Sequence, residues 1–240
     1  MRKIAFGILV GFLFVLAGCS DDDGYSLSDA WIGFGIFQAD EADNYKIIMD
    51  NKDVLIPIAS NYPPGWGERL DNGERVLVNY TILGDVEESS LPSYYVKVNS
   101  IKDILMKGIM EITPENEDSI GNDPIVVEDY WMTDSLLSFK LRYWGYNSIH
   151  FLNLVTKPSL SMAPGIQPYE LELRHNANDD DDAIYYTAYV SFSLNSLRID
   201  GVDSVSFVVT ATDYDGVEFS EEGVFNYSDL PDIIENGENN

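Results

Sequence analysis

In the second half of this chain apolar and polar residues alternate. Leu137, Phe139, Leu141 and Tyr143 are separated by Ser138, Lys140 and Arg142. Tyr169, Leu171 and Leu173 alternate with Glu170, Glu172 and Arg174. The same period runs through Tyr186–Leu194 and through Ser206–Thr212. Only a strand sends successive side chains to opposite faces. One apolar and one polar face mark antiparallel strands packed on one side. Several such strands at short spacing predict a β-sandwich over residues 124–227. Asp215-Gly216 supplies a tight hairpin turn between the last two.

The first half is patterned less cleanly, but it is also read as β. Trp31–Gln38 is apolar and aromatic, with Gly33 and Gly35 suited to a bend or bulge. Residues 45–50 and 54–58 form a hairpin pattern, and 75–83 and 94–101 are further strands. Residues 61–73 form a loop by their Pro and Gly content. The spacing of Ile101, Ile104, Leu105 and Ile109 admits a helix, although Gly108 and the Ile109-Met110 pair weaken that reading. Residues 113–124 are polar and rich in turn formers. They are placed as the boundary between a domain at 30–113 and the sandwich. Residues 228–240 read as a disordered acidic tail.

The N-terminus reads as an address. Arg2 and Lys3 precede an uncharged, mostly apolar run, Ile4–Gly18, of 15 residues. That is the layout of a secretory signal, and it falls short of the roughly 20 residues that span a bilayer. Leu16-Ala17-Gly18-Cys19 resembles the lipobox of bacterial lipoproteins. A signal peptide at 1–18 and acylation (palmitate among the chains) at Cys19 are therefore expected. One chain gives only reversible membrane binding, so several are needed for a stable anchor. Cys19 is the one cysteine. Once it is lipidated, no thiol is left for a disulfide, a metal or a nucleophile. Residues 19–29 form an acidic tether. Its Asp21-Asp22-Asp23 resembles the export signal that sends Bacteroidota lipoproteins to the outer face of the outer membrane.

Charge narrows the partners. Removing Arg2 and Lys3 leaves 12 basic against 41 acidic residues, a formal charge of −29. Nucleic-acid binding needs Lys and Arg to displace counterions, so nucleic acid is excluded. Cations, neutral glycans and proteins remain as partners.

Residues 22–35 (DDGYSLSDAWIGFG), Arg75–Tyr80, Tyr95–Ile101, Thr113–Asn116, Ser119–Pro124, His150–Val155 and Leu173–Asn176 together resemble the NigD-like lipoproteins. The likeness runs from the signal to about Tyr227. It implies an all-β chain, with an N-terminal OB-like barrel followed by an antiparallel β-sandwich. It also implies an outer-membrane lipoprotein of Bacteroidota. It carries no activity and no catalytic residue. The family's name comes from a bacteriocin-associated gene cluster, which brings a bacteriocin or immunity-type role into view by analogy only.

No nucleophile elbow, P-loop or dinucleotide-binding glycine pattern is present. His150 and His175 are the only histidines. Without a zinc-type spacing they read as hydrogen-bonded structural residues. Asp179–Asp182 lacks the glycine and closing glutamate of a calcium loop and reads as a solvated hairpin tip. With 41 acidic residues, close carboxylate pairs carry little information about glycosidase chemistry. No catalytic residue, metal or cofactor is assigned. The candidate ligand contacts are aromatic: Tyr62 and Trp66 in the long loop, with Tyr94 and Tyr95 in the same domain. OB barrels bind oligosaccharides with loops and one sheet face; alternatively, Trp66 caps the barrel end as core. The function expected is a surface-exposed, non-enzymatic binding or accessory module for an external glycan or protein. A hydrolase of cell-surface polysaccharide is the weaker alternative.

Overall fold

The computed structural model describes residues 24–39, 44–62, 70–156, 167–228 and 230. Cys19, the predicted signal segment, Trp66 and most of the predicted tail lie outside them. Among the described residues, no helix is long and apolar enough to cross a membrane.

The N-terminal domain is a closed barrel of five strands: β1 (Trp31–Ala39), β2 (Tyr45–Met49), β3 (Val54–Ser60), β4 (Arg75–Asp85) and β5 (Ser93–Asp103). Their order is β1-β2-β3-β5-β4, with β1 and β4 antiparallel at the closure and β3 and β5 parallel. Inward-facing residues, among them Phe37, Ile47, Leu55, Val76, Val78, Val96 and Val98, fill the barrel. Gly35 fits the close approach of β2, because a Cβ there would lie 2.7 Å from the Ile48 carbonyl oxygen. The predicted tether is partly docked. Tyr25 donates to Asp85 at 2.5 Å and sets its ring edge against Tyr94.

The C-terminal domain is the sandwich that the alternation predicts. Its long strands are β8 (Val126–Thr133), β9 (Leu136–Gly145), β10 (Phe151–Thr156), β11 (Tyr169–Asn176), β12 (Ile184–Ser193), β13 (Ser204–Thr212) and β14 (Glu218–Asn226). Leu137, Phe139, Leu141, Leu154, Leu171, Val190 and Phe192 face one another between two sheets. Burying each such side chain contributes about 1.5–3 kcal/mol. This core therefore outweighs any single polar contact described below.

The segment after β5 corrects two sequence expectations. It is not helical. It forms two short strands, β6 (Leu105–Gly108) and β7 (Met110–Glu111). β6 runs parallel to β12, and β7 runs parallel to β10. The sheets are thus β6-β12-β9-β8 and β14-β13-β11-β10-β7. The domain boundary consequently falls near Ile104, not within 113–124. The turn-rich stretch belongs to the sandwich. It holds one short helix, α1 (Glu117–Ile120), and its Ile112 and Ile120 pack on Val155. The physical reason is tertiary: the open edges of β10 and β12 offer hydrogen-bond partners that an isolated, Gly-interrupted helix lacks. Within the predicted tail, Leu230 packs against the sandwich core.

Candidate functional site

The four predicted aromatics do not form one patch in the described residues. Tyr62 packs against the barrel core, and its hydroxyl accepts the backbone N–H of Ile101 at 3.3 Å. Tyr94 lies seven residues earlier on β5, about 23 Å away at 3.3 Å per residue. It also packs against the barrel core. Tyr95 is exposed, and Trp66 is outside the described residues.

Two buried polar networks stand out instead. The first joins the domains. Arg75 opens β4 and is 1% exposed. Its guanidinium grips Asp50, in the β2–β3 turn, with two parallel bonds, one of them 2.7 Å. It also donates to Ser191 at 3.3 Å and to Ser138 at 3.4 Å. These two serines are a cross-strand pair on the outer face of the sandwich. Trp131 of β8 donates its indole N–H to Asp50 at 2.9 Å. The Phe34 ring lies under the guanidinium and between Trp131 and Tyr189, with centroids 4.9 and 5.1 Å away. A planar, bidentate donor suits this half-buried carboxylate, which a lysine could not satisfy as well. Beside this junction is a cleft of about 260 Å³, lined by Ile36, Met49, Met106 and Leu136 with the Arg75–Asp50 pair. Lys52 and Asp134 form an exposed ion pair between the domains.

The second network lies at the other end of the sandwich. His175 places Nδ1 3.0 Å from the Pro124 carbonyl oxygen. Its Nε2 is 2.7 Å from Nδ1 of His150, and Nε2 of His150 is 3.1 Å from Asp180. A carbonyl and a carboxylate can only accept, so Nδ1 of His175 and Nε2 of His150 are the donors to them. The Asp180 side chain is 3% exposed. Burial opposes its ionisation, but backbone N–H groups of Tyr146, Asn147 and Ser148, together with His150, outweigh burial and hold its carboxyl well below the usual range. Burial lowers the pKa of His175, against the pull of the Pro124 carbonyl. Tyr143 stacks on His150 at 4.6 Å. Gly145 makes room for the ring, since a Cβ there would come within 2.9 Å of His150 Nε2.

All four ring nitrogens in this chain of contacts face a protein partner. Both histidines are hydrogen-bonded within the protein, with His150 in the loop before β10 and His175 on β11. The aspartate run is only partly as expected. Asp179, Asp181 and Asp182 are solvated, while Asp180 is buried as a loop anchor. Sequence reasoning missed Asp180 and Arg75, because nothing in their local spacing shows the distant groups they meet. No group of three or more His, Cys, Asp or Glu that could hold a metal ion occurs among the described residues.

The fold and its junction define a class: an OB barrel locked onto the outer face of a β-sandwich. Residues 36–104 match the NigD-like N-terminal OB domain, and residues 108–223 match the NigD-like C-terminal β-sandwich domain. Among solved structures, a toxin-related protein of Parabacteroides distasonis is 31% identical, with a TM-score of 0.69, covering 84% of this chain and 95% of that one. A protein of unknown function from Bacteroides vulgatus is 25% identical, with a TM-score of 0.67, covering 85% and 95%. A NigD-like immunity protein from Bacteroides caccae is 18% identical with a TM-score of 0.60, covering 82% and 94%, a likeness of fold alone. No curated protein matches. The chain belongs to the NigD-like family.

Proposed function

We propose that the mature chain is anchored through lipid on Cys19 at the outer face of the outer membrane. There it acts as a non-enzymatic binding or accessory module for an external glycan or protein. The observation that carries this reading is the fate of the buried charged groups. Arg75, Asp50, His150, His175 and Asp180 are each engaged by protein partners. General acid–base work needs a group within reach of a substrate proton, and these groups are spent on architecture. The Arg75 and Asp50 bonds also hold the two domains in one orientation, which suits presentation of a surface.

Mass spectrometry of the mature protein from its host tests the anchor, with an acylated N-terminal cysteine expected and none in Cys19→Ala. Protease shaving of intact cells tests the face. A glycan and protein binding screen tests the role, with Trp66→Ala asking whether the loop takes part. Turnover of any surface polysaccharide by the purified chain would contradict the non-enzymatic reading. The 31% identical relative described as toxin-related favours a second reading, a bacteriocin-associated or immunity-type factor. A deletion strain that loses neither killing nor self-protection removes it.

A further inference from the structure

Three loops meet at the end of the sandwich away from the barrel: the β9–β10 and β11–β12 connections between the two sheets, at 146–150 and 177–183, and the β13–β14 hairpin at 213–217. Ser138 touches the barrel junction, and Gly145 lies seven residues further along β9, about 23 Å away. The loops are fastened to one another from below. Asp180 of the second loop accepts N–H bonds from Tyr146 at 2.5 Å and Asn147 at 3.1 Å in the first. Tyr214 of the third accepts the N–H of Trp144 at 2.9 Å. Tyr186 donates to the Tyr146 carbonyl at 2.9 Å.

Above this support, apolar side chains point outward. Ile149 is 72% exposed, and Tyr146, Ile184 and Val217 are each more than half exposed. Apolar side chains displayed on backbone already fixed in place bind with little ordering cost. Around them Asp179, Asp181, Asp182, Asp213, Asp215 and Glu218 supply charge of one sign. Residues 146–150, 177–183 and 213–218 contain no Lys or Arg, and the whole chain carries −27.

We propose that this loop end docks a cationic polypeptide, whose apolar side chains seat on Tyr146 and Ile149 while its Lys and Arg meet the aspartate rim. The inference rests on the binding-module reading and deepens it by naming partner chemistry and surface. Complementary charge gives such an encounter speed and specificity, and the apolar centre gives it affinity. The surface fits a polypeptide better than a glycan. Sugar rings stack on aromatic faces, and of the aromatics here Tyr185 is already covered by Trp144 at 3.6 Å and by Arg142 at 4.9 Å, which leaves Tyr146 among aliphatic Ile149, Ile184 and Val217.

The test uses the chain from residue 24 onward, which contains both closed cores. The probe is a short amphipathic peptide of leucine and lysine, and its control carries glutamate for lysine. Calorimetry is expected to show binding of the lysine peptide alone. Tyr146→Ala with Ile149→Ser is expected to raise Kd by about tenfold or more. Ile58→Ser, an exposed apolar change on the barrel, leaves Kd unchanged. Equal binding by the loop variant, or loss through Ile58→Ser, overturns the inference. So does a wild-type chain that ignores the lysine peptide. If that chain instead binds a glycan or the glutamate peptide, this inference falls while the binding-module reading stands. If no ligand of any class binds, both fall.

Discussion

The two ends of the four-stranded sheet solve one problem in different ways. Each holds a carboxylate within a network of protein donors. At the barrel end Asp50 meets Arg75, which stays charged at any working pH. At the loop end Asp180 meets His150, which is in turn bonded to His175. The first network joins two domains through permanent charge and serine hydroxyls. The second ties the β9–β10 and β11–β12 loops to His175 and Pro124 and includes two titratable rings. The loop end, where burial lowers the pKa of His175, is therefore the end whose stability is expected to respond to mild acid.

Breaking the permanent pair has the largest expected effect. Arg75→Ala leaves Asp50 without its cation at the junction and is expected to cost about 3–5 kcal/mol, read as a lowered urea midpoint. Arg75→Met with Asp50→Leu is expected to recover part of that loss, because the stranded charge is gone. Equal midpoints for Arg75→Ala and wild type would show that the barrel is not held this way.

Acid sharpens the comparison. The ordinary histidine value is 6.5, and folded His175 lies below it. Below pH 6.5 the unfolded chain therefore takes up a proton that folded His175 refuses, so stability falls as pH falls. Asp180 adds a term of the same sign at lower pH, through its ordinary value of 3.8 and downward. Thermal unfolding from pH 7 to pH 5 should show a falling midpoint, with a shallower fall in His175→Gln. Amide exchange of Tyr146 and Asn147 should accelerate over the same interval. A flat profile would remove the proton-dependent half of the comparison.

Smaller effects follow at the surface. The Lys52–Asp134 pair joins the domains in the open, with side chains 49% and 47% exposed. Lys52→Ala is expected to cost under about 1 kcal/mol, and less in high salt. Tyr146→Ala and Ile149→Ser should change stability by no more than about 0.5 kcal/mol, while acting on binding as described above.

The sandwich was legible in the sequence because its strands report their own period. Leu137–Tyr143 alternates whatever it pairs with, and the core residues it names are buried. The linker was not legible. Ile101–Ile112 has helical spacing, and only the open edges of two distant strands make it β6 and β7. The polar networks were hidden for the same reason. Arg75 and Ser191 are 116 residues apart, and His150 and His175 are 25 apart. Asp180 looks like its three neighbours in a run of four. It alone accepts the N–H groups of the loop across from it. The edge strand β14 shows a feature that could be read in advance. Glu218, Glu221 and Glu222 place charge along a free edge, which deters pairing with another sheet.

The charged and titratable groups of both networks hold structure and leave no free base. Nitrogen-15 spectra of the two histidine side chains at neutral pH test this most directly. Three of the four ring nitrogens should carry hydrogen, with the one acceptor nitrogen lying between the rings. Two neutral rings carrying only two such hydrogens would leave a free lone pair in the pair, and would contradict the account.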